Sequence, residues 1–261
     1  MTRFDGQTVI VTGAGSGIGA ATARRLAQEG ANVILTGRRV EPIETVAASC
    51  NGVAVAGDAA SRDHGEALVQ LALDRFGGLD AVVCNAGGFG YGTLTDVSDS
   101  DWAKAIEANL NTAMVTARAA MPALKTSGGN ILMVASIAAL ASGPEACGYV
   151  TMKHGLIGLT RSIARDFGRH GVRCNAICPG WVRTEMADME MMALMQRKGL
   201  ASREDAYALV TKDVPIGKPA MPEDVAAAVA FLCSAEASMI TGAVLTIDGG
   251  ATIVDVPTLA F

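Results

Sequence analysis

Three features of this 261-residue chain predict an α/β fold: a doubly wound parallel sheet of about seven strands with helices on both faces. Short β-rich runs alternate with longer helical stripes, which is the pattern of repeated βαβ units. A glycine-rich turn follows the first run. Half of the residues are hydrophobic and only 18% are charged, enough to bury a sheet on both faces. No linker rich in Pro, Gly and Ser divides the chain, so residues 1–261 read as a single domain.

The predicted strands are Thr8 to Thr12, Val33 to Thr36, Gly52 to Ala56, Ala81 to Cys84, Asn130 to Ala135, Arg173 to Cys178 and Ala243 to Ile247. Between them, Ile106, Leu110, Met114, Ala117, Met121 and Leu124 recur at steps of three and four, as do Leu156, Leu159, Ile163 and Phe167. Pro122 lies inside the first stripe, so that helix is expected to bend or end nearby. Right-handed crossovers and the glycine turn favour a Rossmann sheet, whose ligands bind outside the carboxyl ends of the strands. Asn85-Ala86-Gly87, Ser136 and Pro179-Gly180 each follow a predicted strand and so converge on one edge.

Composition excludes several classes. A formal charge of −5 without a long basic block argues against nucleic acid as a partner. The longest apolar stretches, such as Val225 to Cys233, are too short to span a membrane, and Arg3 and Asp5 lead straight into a strand with no signal-peptide pattern. A soluble, cytoplasmic protein is expected. Cys50, Cys84, Cys147, Cys174, Cys178 and Cys233 form no CxxC pair, and His64, His154 and His170 are the only histidines. Reduced thiols and no metal site follow.

Thr12-Gly13-Ala14-Gly15-Ser16-Gly17-Ile18-Gly19 leads into a helix with Ile18, Thr22 and Leu26 at four-residue steps. Glycines allow a tight turn and close backbone approach, and the helix N-terminus offers N–H groups and a favourable dipole to a pyrophosphate. About 20 residues on, an NAD site usually has a carboxylate for the ribose 2′-hydroxyl. Here Thr36-Gly37-Arg38-Arg39 supplies two guanidiniums, which favours NADP(H) over NAD(H); arginines that merely solvate the next helix fit as well.

Tyr149 and Lys153 stand four residues apart and share one helix face, with Ser136 thirteen residues before the tyrosine. A free phenol has a pKa of about 10, and a fixed neighbouring cation is expected to lower it toward acid/base use near neutrality. A serine hydroxyl nearby can hold a carbonyl oxygen in reach of the phenol. Together these residues read as hydride-transfer machinery.

With these motifs, the chain resembles the short-chain dehydrogenase/reductase family along essentially its whole length. Asn85-Ala86-Gly87, Asn109, Pro179-Gly180, and Thr241-Gly242 leading to Asp248-Gly249-Gly250 extend the likeness. Cys84 departs from it, standing where the family often has a second asparagine. The resemblance implies that Tyr149 is the acid/base, Ser136 orients the substrate oxygen, and Lys153 binds the nicotinamide ribose and lowers the tyrosine pKa. It implies that Asn109 holds a water linking Lys153 to solvent, Asp58 contacts adenine and Thr184 the carboxamide. Gly13, Ser16, Gly17, Ile18, Gly19, Arg38, Arg39, Ala59, Asn85, Ala86, Gly87, Pro179, Gly180 and Val182 would complete the cofactor site with Tyr149 and Lys153. Plainer roles fit too: Ser136 as a turn cap, Asn109 as a partner of nearby backbone, Asp58 as a turn former.

Met186, Met189, Met191, Met192 and Met195 lie in a segment, about 185–215, that reads as a substrate lid, with Trp181, Phe89 and Tyr91 as walls; lid packing or a subunit contact fits the methionines equally. The expected substrate is a ketone or secondary alcohol with an apolar body. The row Arg161, Arg165 and Arg169 keeps open a 3-oxoacyl-[acyl-carrier-protein] reductase, although a solvated or inter-subunit row fits it better. A non-catalytic NADP(H)-binding redox sensor is the alternative of another class. Family members are commonly homodimers or homotetramers, and the apolar ending Val254-Asp255-Val256-Pro257-Thr258-Leu259-Ala260-Phe261 suits burial against a neighbouring subunit.

Overall fold

The computed structural model describes residues 2–260, so Phe261 of the apolar ending lies outside the described residues. Seven strands form one parallel sheet: β1 (Thr8–Thr12), β2 (Asn32–Gly37), β3 (Val53–Ala56), β4 (Ala81–Cys84), β5 (Asn130–Val134), β6 (Arg173–Pro179) and β7 (Val244–Ile247). Their spatial order is β3-β2-β1-β4-β5-β6-β7. The order reverses between β1 and β4, which opens a crevice at the carboxyl ends of those two strands.

Period-two alternation divides the strands between two cores. Ile10, Val82, Cys84, Ile131, Met133, Cys174, Ala176 and Cys178 point to one face. There they meet α3 (Arg62–Phe76), α5 (Thr112–Ser127) and α6 (Cys147–Phe167) through Leu68, Ala72, Ala117, Leu124, Leu156 and Ile163. Val9, Val11, Val83, Leu132, Val134 and Ile177 point the other way. They meet α1 (Gly17–Gln28), α2 (Val40–Cys50) and α9 (Pro222–Cys233) through Ala23, Leu26, Val46, Val225 and Val229.

Caps set the helix ends. The Ser61 hydroxyl accepts the His64 N–H at the start of α3, and Gly77, at φ 79°, closes it in the left-handed conformation that glycine adopts most readily. In α9, Pro222 stands in the first turn and the Asp224 carboxylate accepts the Met221 N–H at 2.7 Å.

Pro122 does not break its helix on the spot, and the nearby end that the sequence expectation allowed comes at Ser127. α5 continues to Ser127 and closes at Gly128, φ 66°. Proline forfeits one intrahelical hydrogen bond, but Ala117, Ala120, Met121 and Leu124 are buried around it, and packing outweighs that loss. The interruption lies upstream instead: α4 (Asp99–Ile106) passes through one π turn, Glu107–Asn111, into α5.

Between β6 and α9, α7 (Glu185–Lys198) and α8 (Arg203–Val210) form a small core of their own from Ala187, Met191, Ala206 and Tyr207. Trp181 and Met195 pack against it, so Trp181 is not a wall of the cleft described below. The Tyr207 hydroxyl donates to Asp188 at 2.8 Å, and Arg203 pairs with the same carboxylate at 3.1 Å. All six cysteines are free. Among the described residues no helix is long and apolar enough to cross a membrane, and no His/Cys/Asp/Glu group is arranged for a metal ion. Ile253, Val256 and Leu259 near the end are exposed.

Candidate active site

A cleft of about 1110 Å³ runs along the carboxyl ends of the strands. Its floor is the turn between β1 and α1. An added Cβ at Gly13 would lie 3.0 Å from the Ala86 backbone, at Gly15 3.0 Å from the Pro42 side chain, and at Gly17 3.0 Å from the Thr184 methyl. Gly13 and Gly17 also have φ of 63° and 52°. Glycine is needed there both for conformation and to keep the cradle open. Ser16 precedes α1 without a side-chain cap, so the first N–H groups of the helix face the cleft uncapped.

Gly13, Ser16, Gly17, Ile18, Arg38, Arg39, Asp58, Ala59, Asn85, Ala86, Gly87, Tyr149, Lys153 and Thr184 all line this cleft. Gly19 sits beneath it against Gly13 and Asn85. Three expected residues stand back. Val182 is buried in the core and bridges to Ala220, because the chain turns from β6 toward α7 there. Pro179 ends β6, and the Gly180 N–H donates to the Ile247 carbonyl at 3.1 Å, which ties that corner to β7 instead of the cleft.

Sequence reasoning quoted Thr12 without giving it a task. Its hydroxyl accepts the Asn85 and Ala86 N–H groups, each at 3.0 Å, while the Asn85 amide donates to the carbonyls of Thr12 at 2.9 Å and Gly13 at 3.1 Å. The ends of β1 and β4 are thereby locked together under the cleft. Pro42, Ile43, Thr112, Lys104 and Glu107 also line it and carried no motif that would have revealed them. The Asp58 carboxylate accepts the Ala60 N–H at 3.0 Å, so it is both a turn former and a cleft residue.

Asn109 is fully buried at the π turn. Its amide donates to the carbonyls of Phe89 and Ala105, each at 3.0 Å, and its oxygen accepts the Gly88 N–H at 2.8 Å. The plainer reading of this side chain is thus realised. Phe89 has φ of 122°, a conformation that costs a side-chain-bearing residue on the order of 1–3 kcal/mol, and Asn109 grips the backbone on either side of it.

Tyr149 and Lys153 come from the first two turns of α6. The Lys153 ammonium donates to the Val134 carbonyl at 3.0 Å and lies 5.5 Å from the centre of the Tyr149 ring. Ser136 caps the turn after β5, its oxygen accepting the Ala138 N–H at 3.1 Å. Burial pushes the Tyr149 phenol above its ordinary value, opposed by a hydrogen bond from Ser136. This corrects the expectation of a phenol lowered by its lysine. The desolvation that raises the phenol also pushes Lys153 down to about 8, and its ammonium is committed to Val134.

That depressed value has a measurable consequence. The folded chain gives up the Lys153 proton near pH 8, while the unfolded chain holds it to the ordinary 10.5, so stability is gained as pH rises through that window. In denaturation series, the stability of the wild type relative to Lys153→Met should grow from about pH 8 to about 10.5. A flat difference would show that burial does not penalise this cation.

A protein-family profile described as Enoyl-(Acyl carrier protein) reductase matches residues 13–252. The chain is 48% identical over 256 residues to Protein MoaE of Klebsiella aerogenes, covering 98% of this chain and 99% of that one. It is 35% identical over 267 residues to the 3beta-hydroxysteroid dehydrogenase of Mediterraneibacter gnavus, 97% of each. Among solved structures it resembles a variant of actinorhodin polyketide ketoreductase crystallised with NADPH, with a TM-score of 0.89 and 32% identity over 96% of this chain and 98% of that one.

Proposed function

The chain belongs to the short-chain dehydrogenase/reductase family of nicotinamide-dependent oxidoreductases acting on alcohol and carbonyl groups, and from that premise we propose an NADP(H)-dependent reductase of a ketone with an apolar body. The observation that carries the reading is Tyr149: a half-buried phenol on the cleft wall, with the Lys153 ammonium 5.5 Å from the centre of its ring.

The cleft residues would hold a nicotinamide dinucleotide, whose chemistry there would be hydride transfer to the carbonyl carbon. Tyr149, held protonated by burial, gives its proton to the carbonyl oxygen, so that C=O becomes CH–OH; the reverse direction returns the proton to the phenolate. Ser136 holds the same oxygen in reach of the phenol. Lys153 and Tyr149 hold the ribose hydroxyls. Asn109 keeps the strained Phe89 loop in place beside them, and a water on its freed π-turn backbone links Lys153 to solvent. The glycine turn and the start of α1 hold the pyrophosphate, and Asp58 and Ala59 flank the adenine.

Arg38 and Arg39 take the 2′-phosphate. Arg39 already pairs with Glu185 at 3.4 Å, whereas Arg38 has no acidic partner among the described residues. Arg38→Ala should therefore weaken NADPH binding about tenfold, the worth of one charge-assisted contact, and leave NADH binding within about twofold. Fluorescence titration with both cofactors checks this, and equal losses for the two would remove the 2′-phosphate role.

Residues 185–215 act as the substrate lid, with Met186, Met189 and Phe89 forming an apolar mouth. The acyl-carrier alternative rests on Arg161, Arg165 and Arg169, which begin about 18 Å along α6 from Tyr149 at 1.5 Å per residue; a small ketone ranks ahead of it. The exposed Ile253, Val256 and Leu259 serve as a contact between subunits of a homodimer or homotetramer. Purified protein given NADPH with aliphatic, aromatic, cyclic and 3-oxoacyl ketones, followed by cofactor absorbance, tests the reading; no turnover with any of them would reject it.

A further inference from the structure

α7 carries three carboxylates in unequal surroundings. Glu185 and Asp188 lie in its first turn, where the helix dipole favours negative charge, and each has a cation: Arg39 at 3.4 Å and Arg203 at 3.1 Å. Glu190 lies beyond that turn and has no cationic partner among the described residues. What it has is a phenol. The Tyr91 hydroxyl donates to the Glu190 carboxylate, across 99 residues of sequence.

Tyr91 in turn stacks on Tyr149, ring centres 5.8 Å apart and planes 17° apart. One side chain, Tyr91, therefore connects the reacting phenol to the Glu190 carboxylate. Tyr91 and Glu190 are not themselves part of the cleft lining, but their sequence neighbours Phe89, Met186 and Met189 are, and these stand exposed there. A carboxylate offers about four lone-pair sites, and Tyr91 fills one. The faces of Tyr91 and Phe89 add the environment that stabilises an organic cation.

Resting on the oxidoreductase reading above, we propose that Glu190, one of whose lone-pair sites Tyr91 fills in the free protein, determines specificity by accepting a hydrogen bond from a donor group, hydroxyl or ammonium, that the ketone substrate carries away from its carbonyl. The apolar mouth takes the body of the substrate and Glu190 fixes its far end. That end sets which face of the carbonyl is presented beside Tyr149.

The test uses the enzyme loaded with NADP+, which has no hydride to give, and three cyclohexanones that bear methyl, hydroxyl or dimethylammonium opposite the carbonyl, titrated by calorimetry. At least one donor-bearing ketone should bind about tenfold more tightly than the methyl ketone, the equivalent of one charge-assisted hydrogen bond. Preference for the hydroxyl ketone alone identifies a hydroxylated substrate, and preference for the cation identifies an amine. In E190Q the cation preference should fall to within about twofold. Tyr91→Phe keeps the stacked ring and releases the carboxylate, so there the donor preference should be kept or increased. Equal binding of all three ketones by the wild type, no binding of either donor ketone, unchanged ratios in E190Q, or a preference lost in Tyr91→Phe would each overturn the assignment. These ratios are read from binding, so a protein that binds selectively yet oxidises no cofactor would sink the catalytic reading and leave this one standing.

Discussion

Tyr149→Phe is expected to cut carbonyl reduction by about 1000-fold or more while the protein stays folded and still binds NADPH. The ring is retained, so its stack with Tyr91 and the packing of α6 should persist. What disappears is one hydroxyl, the proposed proton donor. General acid catalysis by a positioned group contributes about 10²–10⁴-fold, which sets the expected loss. Ser136, the proposed holder of the substrate oxygen, gives no proton itself, so Ser136→Ala should show a smaller decrease in the same assay. Steady-state rates, together with a cofactor titration of the same preparation, give the answer. Turnover by the phenylalanine variant within tenfold of wild type would rule out Tyr149 as the acid, whatever the fate of cofactor binding.

Gly19→Ala should strike the cradle itself. Its Cβ would come within 2.3 Å of the Gly13 carbonyl oxygen and 2.5 Å of the Asn85 amide nitrogen. Neither can yield cheaply. The Gly13 carbonyl is fixed in the turn, and the Asn85 amide donates to Thr12 and Gly13, the bonds that lock β1 to β4. Overpacking costs roughly 1–3 kcal/mol, and a displaced, unsatisfied amide adds a similar amount. A loss of roughly 2–5 kcal/mol in denaturant unfolding is expected, with cofactor binding abolished in whatever remains folded. Gly78→Ala is the control: an added Cβ there meets nothing within 4 Å, so stability should change by less than about 0.5 kcal/mol. Similar behaviour of the two variants would mean that the close approach of Gly19 to Asn85 carries no cost.

The fold was legible because its signals are local. A strand buried on both faces must be a short apolar run, and Thr8–Thr12 and Ala81–Cys84 were placed to the residue. The glycine turn was equally plain, since a positive φ and a close approach both exclude a side chain at Gly13 and Gly17. Pro122 marked the helix end only nearby, because its cost is local while the burial that overrides it comes from the sheet and α3. The methionine-rich segment was plain as a helical stretch, but its division into α7 and α8, and the capture of Trp181 by their small core, depended on how two helices meet. Val182 was placed on the cleft by its neighbours in sequence, yet one residue's turn of the backbone carries it into the core.

By itself, then, the sequence determined the parallel sheet, the glycine cradle and the meeting of Ser136, Tyr149 and Lys153 at one edge, because strand period, helix period and backbone freedom are properties of neighbouring residues. Only the tertiary structure decided the charge states and the far wall of the site. The Lys153 ammonium is weakened by burial that residues distant in sequence contribute jointly, and Tyr91 finds Glu190 only when α7 comes to lie beside the loop after β4. Desolvation and through-space pairing depend on everything packed around a group, and no spacing along the chain records that.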